Sequence, residues 1–538
     1  MVTLTEPLAT YRPELMDRLA QPCQYDLCVI GGGATGLGLA LDAAVRGLRV
    51  VLVEGHDFAK GTSSRSTKLV HGGVRYLAQG NISLVREALH ERTLLLHNAP
   101  HLAQPLPFVM PAYTWWEAPF YGTGLKMYDA LAGKAGLGAT EFLSRDETCA
   151  LLPQIRTEGL KAGVKYWDGQ FNDARLALAL ARTAAQHGAL LVNYCRVVDV
   201  VHDQGRITGV KCTDQLNGRH YTLACHCVVN ATGVWVDALR SLDDAATGNT
   251  SDAATKPMVA PSQGVHMVVD KEFLNGSAAL MVPKTADGRV LFAVPWLGKL
   301  ILGTTDTPRH NLDLEPAAFE EEINFILGES AKYLRRAPTR ADVKSIWVGL
   351  RPLVKPAEDT GGHTKGLSRE HTIEVSRSGM VTVTGGKWTT YRAMAEDVLE
   401  VCTKQQLLRA TVTGLTRGLR LIGSESTRAA FTPIYKAEGL HGYGNEQSLV
   451  GSMPGADRWL DDTLSEGMVR FAARFEYAVK VEDVLARRSR MLFLDARKAR
   501  FLAGDVAAIL KNETGQDAAQ EAFESLCQQY LLDLQESS

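Results

Sequence analysis

A short apolar run followed by regularly spaced glycines is the feature that most constrains the fold of this chain. Residues 25–30 have the composition of a buried parallel strand bounded by glycine. Gly31, Gly33 and Gly36 then provide the G-x-G-x-x-G spacing at the start of an amphipathic helix. In this arrangement the glycines permit a tight turn, close approach of a pyrophosphate, and packing of the helix on the strand. The segment therefore predicts a dinucleotide site at the helix N-terminus.

An acidic residue completes this pattern after a second apolar strand. Residues 49–53 form that strand, and Glu54 follows directly, where it can accept hydrogen bonds from an adenosine ribose. A carboxylate at this point disfavours a ribose that carries a 2′-phosphate. An isolated glycine motif often marks only a glycine-rich turn, but the full series of strand, glycines, helix, strand and acid is much more specific.

The segment that follows combines hydroxyls, cations and glycines. It covers residues 61–77 and reads GTSSRSTKLVHGGVRYL. This composition suits a loop that closes over a bound anionic ligand, although ordinary surface loops also favour serine, threonine and glycine. The segments before it and far after it decide between these two interpretations.

A second junction of strand, glycine and helix lies near residue 385. An apolar strand at residues 380–384 meets Gly385 and Gly386, and a helix begins shortly afterwards. Enzymes that bind extended FAD use such a helix N-terminus to stabilise negative charge on the reduced flavin. No regular series of nicotinamide-type units follows Glu54, so we expect FAD as the cofactor. The alternative is a glycine cap followed by an unrelated helix.

Composition narrows the class of protein. The chain has 538 residues, enough for two or three domains, and its formal net charge of -2 argues against a nucleic-acid binder. Nine cysteines without a C-x-x-C pair favour reduced thiols in a cytosolic compartment. The run Cys225-His226-Cys227 lacks a second ligand pair, so we expect no metal site. Residues 1–22 resemble neither a signal peptide nor a transit sequence, and no apolar window is long enough to span a membrane.

The pattern of elements predicts a discontinuous organisation. We assign residues 25–80, about 160–255 and 345–408 to the FAD-binding domain. Residues of about 81–159 and 256–344 form a substrate or cap domain, and residues 410–538 form a helical C-terminal domain. Within the first of these we expect a helix from Asp173 to His187 and a meander of three strands at residues 190–201, 205–213 and 220–229.

Ten collinear motifs carry a family resemblance over nearly the whole chain. In order, they read KLVHGGVRYL, VREALHER, APHLAQPLPFVMP, DGQFNDARL, VNATGVW, GTTDTP, GLRPLV, SREHTIE, GGKWTTYRAMAED and VEDVLARRSRMLFLD. They resemble the FAD-dependent glycerol-3-phosphate dehydrogenases that pass electrons to quinone, and their sequences are closer to the mitochondrial type. The resemblance implies an α/β fold: a Rossmann-like FAD-binding domain of the glutathione-reductase and amino-acid-oxidase type, an antiparallel-sheet substrate domain and a C-terminal α-helical domain. The chain departs from the family pattern at Val348, where a small residue is usual.

A phosphate monoester as substrate requires several cationic donors, for which the planar fork of arginine is well suited. The motif match selects Arg75, Arg351 and Arg369, although most arginines are simply solvated surface charges. Oxidation of the alcohol also needs a base near the hydroxyl. His266 is the first candidate because imidazole titrates near neutrality, and Lys387 is the second, with a role in holding the substrate oxygen or the reduced flavin.

The expected cofactor contacts come from four segments of the chain. They are Gly31, Gly33, Ala34, Thr35, Gly36 and Glu54, then Thr62, Ser63, Ser64, Ser66, Lys68, His71, Gly72 and Gly73, then Ala231, Thr232 and Gly233, and finally Gly386, Lys387, Trp388, Thr389 and Thr390.

A quinone acceptor would require a membrane surface. Residues 113–131 are rich in aromatics and could lie at such an interface, or could instead close the substrate domain. We therefore expect a peripheral protein on the cytoplasmic face of the inner membrane, and otherwise a cytoplasmic one. The alternatives are an oxygen-using oxidase of glycerophosphate or an amino acid, and a non-enzymatic FAD-binding scaffold. The oligomeric state is open, and a homodimer is compatible with the sequence.

Overall fold

The computed structural model describes residues 7–73, 81–246, 256–285, 288–355, 371–424 and 431–532. Its strands are β1 (Gln24–Ile30), β2 (Val50–Val53), β3 (Leu69–Val70), β4 (Ala103–Ala112), β5 (Glu141–Ser144), β6 (Ala162–Phe171), β7 (Leu190–Val192), β8 (Cys195–Asp203), β9 (Arg206–Asp214), β10 (His220–Asn230), β11 (Val259–Asp270), β12 (Ala279–Val282), β13 (Leu291–Trp296), β14 (Lys299–Gly303), β15 (Thr307–Pro308), β16 (Ser345–Val354), β17 (His371–Val375) and β18 (Val381–Gly385). Its helices are α1 (Arg12–Ala20), α2 (Ala34–Val45), α3 (Ile82–Asn98), α4 (Glu117–Ala132), α5 (Arg145–Leu151), α6 (Asp173–Gln186), α7 (Val236–Ala246), α8 (Glu320–Tyr333), α9 (Tyr391–Lys404), α10 (Gln447–Gly451), α11 (Glu466–Phe475), α12 (Met491–Leu494), α13 (Ala496–Thr514) and α14 (Gln520–Gln529).

The first sheet has the doubly wound arrangement expected of a dinucleotide-binding domain. Its order is β17-β18-β10-β1-β2-β7, with β1 parallel to both β2 and β10, and β18 parallel to β10. The central strands β1 and β2 are mostly buried and apolar, as parallel strands covered on both faces must be. The carboxyl ends of β1, β2, β10 and β18 meet at one edge of the sheet, so the loops that follow them converge there.

The expected strand at residues 190–201 is two strands in the structure. β7 pairs in parallel with β2, whereas β8 begins at Cys195 and pairs antiparallel with β9. Between them Tyr194 adopts a left-handed conformation with φ of 51°. The sequence pattern does not report such a turn, because the residues on both sides of it are compatible with one continuous strand and only the strand partners differ. The helix expected from Asp173 is confirmed as α6.

The second sheet is almost entirely antiparallel and covers the site. Its order is β15-β11-β14-β13-β12-β4-β6-β3, with β16 paired to β11 and β5 to β6. β6 and β16 therefore belong to this sheet, although the sequence-based boundaries grouped them with the FAD-binding segments. Strand periodicity shows which residues face a core but not which sheet a strand joins, and β16 lies against β11 over ten residue pairs.

The C-terminal helices are joined to the first sheet by buried charges. A π-helical turn, Asp483–Arg488, directs Arg487 and Arg488 toward Asp57, which follows β2. Asn193 also donates to Asp57, over 3.2 Å. Burial would raise the pKa of Asp57, but the two guanidinium groups outweigh burial and lower it. The interface thus holds an ionised carboxylate that is paired and hydrogen-bonded.

Removal of this carboxylate should destabilise the protein strongly. Asp57→Ala removes the carboxylate that Arg487 and Arg488 share, and it leaves Arg488 with only backbone carbonyl oxygens as partners. Breaking such a buried pair costs about 3–5 kcal/mol of unfolding free energy. Asp199→Ala is a matched control because Asp199 pairs with Lys211 at the exposed surface, where a pair contributes less than about 1 kcal/mol. Urea unfolding of the holoprotein, followed by circular dichroism, compares the two. Equal losses would show that the buried network does not join the domains.

Candidate functional site

A cavity of about 880 Å³ lies at the edge where the carboxyl ends of the first sheet meet the second sheet. Glycines of the first loop, the hydroxyl-rich segment after β2, and the second glycine junction line one part of it. Residues of β11, β13 and β16 line the other part. The two glycine junctions predicted to act together therefore do open into one space.

The glycine loop after β1 is shaped by close backbone contacts. Gly31 has φ of 111°, and a side chain there would come within 2.6 Å of the carbonyl oxygen of Ala231. A side chain at Gly36 would overlap the carbonyl oxygen of Gly31, so glycine is needed where α2 meets the loop. The N–H of Ala34 donates to Ser63 Oγ over 2.9 Å. The first turn of α2 carries no acidic side chain, which leaves its positive end open to an anion.

Glu54 lies on the cavity wall directly after β2. Its carboxylate accepts hydrogen bonds from the backbone N–H groups of Gly32 and His56, over 2.6 and 2.8 Å. Burial raises the pKa of Glu54, while these two N–H donors oppose the shift. The carboxylate is thus fixed in position at the end of β2, where a ribose of a bound dinucleotide is expected.

The hydroxyl-rich segment divides into two parts. Thr62 and Ser63 line the cavity: Thr62 Oγ1 donates to the carbonyl oxygen of Leu350 over 2.6 Å, and Trp388 Nε1 donates to that of Ser63 over 2.8 Å. Lys68, by contrast, is fully buried behind the wall and does not line the cavity. This placement revises the expectation that Lys68 contacts the cofactor.

A buried ion pair explains the position of Lys68. Its Nζ donates to Asp173 Oδ2 and to the carbonyl oxygen of Ser64, each over 2.7 Å. The rings of Trp296 and Trp347 lie 5.3 Å from Nζ. Burial lowers the pKa of Lys68 to about 7, although Asp173 opposes the shift. Four other expected contacts also lie outside the cavity lining, namely Gly36, Ser64, Gly72 and Thr390, and these residues shape the wall from behind.

The second glycine junction approaches the first from the opposite side. Gly385 and Gly386 have φ of 83° and 69°, so the chain turns sharply before α9. A side chain at Gly386 would overlap Met394 of that helix. Lys387 is extended at the start of the following turn and lines the cavity together with Trp388. The remaining expected residues that line this space are Gly33, Ala34, Thr35, Ser66, His71, Gly73, Ala231, Thr232, Gly233 and Thr389.

His266 lies on the second sheet with its side chain on the cavity face. It is 2% exposed, and its ring stacks on Trp347 at 5.3 Å with an angle of 15° between the rings. Its Nε2 lies 2.9 Å from Thr67 Oγ1. Burial, reinforced by the charges of Lys68 and Arg351, lowers the pKa of His266 well below the usual imidazole value. The ring is therefore neutral near pH 7.

Arg351 lies on β16 and faces the same cavity. Its guanidinium donates to Asp306 Oδ1 over 3.1 Å, to Thr304 Oγ1 over 3.2 Å and to the carbonyl oxygen of Thr305 over 3.0 Å. A side chain at Gly264 on the neighbouring strand would overlap the guanidinium, so that glycine provides the space for it. The side chain stays 25% exposed. These contacts hold a positive fork toward the cavity.

Val348, where the chain departs from the family pattern, does not disturb this arrangement. Successive residues of a strand face opposite sides of a sheet, so Trp347 and Gly349 lie on one face of β16, where Gly349 lines the cavity and Trp347 stacks on His266, while Val348 lies on the other face. The Val348 side chain is buried in an apolar cluster with Val265 and Met267. The extra bulk is absorbed by that core.

The comparisons with known proteins agree with this geometry. Residues 26–392 match the model of the FAD dependent oxidoreductase family, and residues 415–521 match the C-terminal domain of alpha-glycerophosphate oxidase. The mitochondrial glycerol-3-phosphate dehydrogenase of Homo sapiens is 39% identical over 93% of this chain and 72% of its own length. That of Schizosaccharomyces pombe is 37% identical over 94% of this chain and 87% of its own length. The chain belongs to the FAD-dependent glycerol-3-phosphate dehydrogenase family.

Solved structures give the same result for the fold. A glycerol-3-phosphate dehydrogenase from Bacillus halodurans, solved in complex with FAD, superposes with a TM-score of 0.74 at 28% identity, over 97% of each chain. An L-alpha-glycerophosphate oxidase from Mycoplasma pneumoniae shares the fold, with a TM-score of 0.57 at 17% identity over 74% of this chain and 99% of its own. The predicted fold class and FAD as cofactor are thereby confirmed.

The cavity of this dehydrogenase fits FAD in its donors and in its shape. The glycine loop and the positive end of α2 suit a diphosphate, Glu54 suits a ribose, and the junction at Gly386 suits the flavin ring. Two of the three predicted substrate arginines, Arg75 and Arg369, lie outside the described residues. Arg351, His266 and Lys387 all line the cavity, as the resemblance implied for a common site.

Sequence reasoning missed several residues of the site. Thr67 contacts His266, and Thr304 and Asp306 hold Arg351. Thr304 and Asp306 belong to the motif GTTDTP, which carries the family resemblance but does not by itself indicate a contact with Arg351. Asp168, which also lines the cavity, is a further such residue; it accepts hydrogen bonds from Arg92 and Tyr128 over 2.9 and 3.0 Å.

Proposed function

We propose that this enzyme oxidises sn-glycerol 3-phosphate to dihydroxyacetone phosphate and passes the electrons through FAD to a membrane quinone. The observation that carries the proposal is the single cavity, which joins both glycine junctions to the cluster of Arg351, His266 and Lys387. The names of the relatives supply the substrate. The cluster has the chemistry that an anionic alcohol requires, namely a guanidinium fork, a neutral imidazole and an amine.

In this proposal Arg351 binds the phosphate. Its guanidinium is oriented by Asp306, Thr304 and the carbonyl oxygen of Thr305, so little conformational freedom is lost when it binds an oxyanion. Arg75 and Arg369 share this role by their motif positions. Several arginines on one dianion provide the specificity for a phosphate monoester.

His266 removes the hydroxyl proton. Because its imidazole is neutral in the free enzyme, a lone pair is available to the substrate. Binding of the phosphate dianion offsets the positive charges of Arg351 and Lys68, and this raises the pKa of His266 at the moment when it must accept the proton. Bound FAD accepts the hydride from the substrate carbon that bears this hydroxyl. Lys387 holds the substrate oxygen and is the alternative base.

Anaerobic mixing of the purified enzyme with glycerol 3-phosphate tests the reaction. The bound flavin should bleach with this substrate and keep its oxidised spectrum with amino acids, which are substrates of other members of the fold. Retention of the oxidised spectrum with glycerol 3-phosphate would contradict the proposal and would favour an FAD-binding scaffold without this activity.

The electron acceptor needs its own test. The quinone-linked reaction predicts fast reoxidation by a soluble quinone analogue and little peroxide in air. The alternative, an oxygen-using oxidase, predicts one peroxide for each substrate oxidised. Measurement of both products in the same preparation separates the two acceptors.

An exposed aromatic patch supports attachment to a membrane surface. Trp115, Trp116 and Phe120, at the start of α4, are 84%, 46% and 66% exposed. The rings of Phe120 and Trp116 lie 6.0 Å apart, and Phe120 lies 5.3 Å from Tyr121. Large aromatics in such a cluster favour the interface of a bilayer. None of the helices in the described ranges is long and apolar enough to span a bilayer.

Replacement of these aromatics should release the protein from lipid. We expect the double variant Trp116→Ser, Phe120→Ser to bind liposomes at least about tenfold more weakly, because two apolar side chains lose their burial in lipid. Phe501→Ser is the matched control, since Phe501 is 82% exposed on α13 in the C-terminal domain. Sedimentation with anionic vesicles measures the bound fraction. A wild-type protein that stays in the supernatant would contradict a membrane role.

We further propose that the enzyme acts at the cytoplasmic face of the inner membrane as a peripheral protein. Fractionation of cells at low and high salt checks this location. Light scattering of the purified protein decides between a monomer and the homodimer that the sequence allows.

A further inference from the structure

Among the described residues, the hydroxyl of Thr67 is the only hydrogen-bonding partner of the His266 side chain, the candidate base on β11. Thr67 Oγ1 lies 2.9 Å from His266 Nε2, whereas Nδ1 of this buried ring has no hydrogen-bond partner among the described residues. Both residues line the cavity. Nδ1 is therefore the ring nitrogen whose hydrogen-bonding capacity the described residues leave unused.

A histidine can act as a base through Nδ1 only if its proton is on Nε2. The partner of Nε2 decides this, because a hydroxyl can accept from an N–H or donate to a lone pair. We propose that Thr67 is a positioning residue that accepts the Nε2 proton of His266 and so keeps the Nδ1 lone pair directed toward the substrate. This inference rests on the proposed function, in which His266 is the base.

The proton balance of this step is simple. The substrate O–H bond breaks and an N–H bond forms at Nδ1, while the Nε2–H bond to Thr67 is retained. The imidazolium that results is held by Thr67 at one nitrogen and by the substrate oxygen at the other. Thr67 thus supports the ring both before and after proton transfer.

The position of Thr67 is fixed by its two neighbours. Ser66 Oγ donates to Asp173 Oδ2 over 2.7 Å, and the Nζ of Lys68 donates to the same oxygen over 2.7 Å. Lys68 has φ of 65°, a strained conformation that its buried ion pair stabilises. Thr67 lies between these anchors, so its hydroxyl has little freedom to move away from the ring.

The C-terminal domain contributes to the same anchor. Arg490 adopts a left-handed conformation and donates to the carbonyl oxygen of Ser64 over 2.6 Å. Its guanidinium also lies 3.2 Å from Asp173 Oδ1. The same carboxylate therefore holds Ser66, Lys68 and a residue of the helical domain, and through them the threonine that contacts His266.

The test is a double-mutant cycle on the holoenzyme. Thr67→Val keeps the shape of the side chain and removes the hydroxyl. We expect it to lower the limiting rate constant for anaerobic flavin reduction about tenfold, the loss that one hydrogen bond produces. FAD content and the Kd for glycerol 3-phosphate should not change, and Thr67→Ser should restore the rate. In a His266→Gln background, Thr67→Val should have no further effect.

The outcomes separate this inference from the proposed function. If His266→Gln is slow and Thr67→Val is as fast as wild type, the inference fails while the role of His266 stands. If Thr67→Val slows both backgrounds equally, its effect is structural and the inference also fails. If His266→Gln keeps the wild-type rate, the assigned base itself is wrong. Thr403→Val is the matched control, because Thr403 bonds a carbonyl oxygen of its own helix away from the cavity.

Discussion

His266→Gln should lower the limiting rate constant for flavin reduction by about 10²- to 10⁴-fold, the contribution typical of a positioned general base. Glutamine keeps a polar group of similar reach on β11 but cannot accept the proton. FAD content should be unchanged, since the ring lies on the second sheet rather than on the glycine loop. Stopped-flow absorbance under anaerobic conditions, at saturating glycerol 3-phosphate, measures this rate constant directly.

A second buried histidine provides the control for this variant. His101 is 7% exposed, does not line the cavity, and has its pKa lowered to about 3 by burial and by the nearby charges of Arg175 and Arg182. His101→Gln should therefore keep the wild-type rate. If His266→Gln also keeps it while Lys387→Met loses it, the amine of Lys387 is the base.

The lowered pKa of His266 predicts how the limiting rate constant for flavin reduction depends on pH. The pKa of His266 is lowered, so the group stays neutral as pH falls through 6.5, where an ordinary imidazole would gain a proton. Burial, the largest cause of this shift, persists when the substrate binds, so we expect the rate constant at saturating substrate to remain level through that range. Saturation is needed because a phosphate monoester itself titrates near pH 6. A fall centred on 6.5 would mean that the base is more exposed than the structure shows.

The sequence located the dinucleotide loop well because several independent constraints coincide there. Gly31 has a positive φ, a side chain at Gly36 would overlap the carbonyl oxygen of Gly31, and Glu54 directly follows the neighbouring strand β2. Each of these requirements restricts the residue type at one position, and the positions have a fixed spacing in the sequence. The second junction, at Gly385 and Gly386, is marked by the same physical requirement for left-handed backbone.

The position of Lys68 could not be predicted in the same way. A lysine in a loop of serines and threonines is expected to be solvated, because burial of an ammonium group requires a partner. Here the partner is Asp173, at the start of α6, and Arg490 of the C-terminal domain completes the cluster. Contacts between residues so far apart in the chain leave no local pattern. Thr67 was missed for the same reason, since its partner is on β11.

Arg351→Lys should raise the Kd for glycerol 3-phosphate by about 10- to 100-fold. Hydrogen bonds to charged groups contribute about 1.5–3 kcal/mol, and each 1.4 kcal/mol is a factor of ten. Lysine keeps the charge but loses the planar fork that Asp306 and Thr304 orient in the wild-type enzyme. Perturbation of the flavin spectrum on titration with a phosphate-bearing substrate analogue measures the Kd without turnover.

The effect of Arg351→Lys should be found only with substrates that carry a phosphate group. With an unphosphorylated diol, which lacks the group that Arg351 binds, the variant and the wild type should have similar kcat/KM. Arg309→Lys is a matched control, because Arg309 lies next to β15, pairs with Asp313 at 3.2 Å and does not line the cavity. If Arg351→Lys weakens the phosphorylated and unphosphorylated substrates equally, Arg351 shapes the second sheet rather than binding the substrate phosphate.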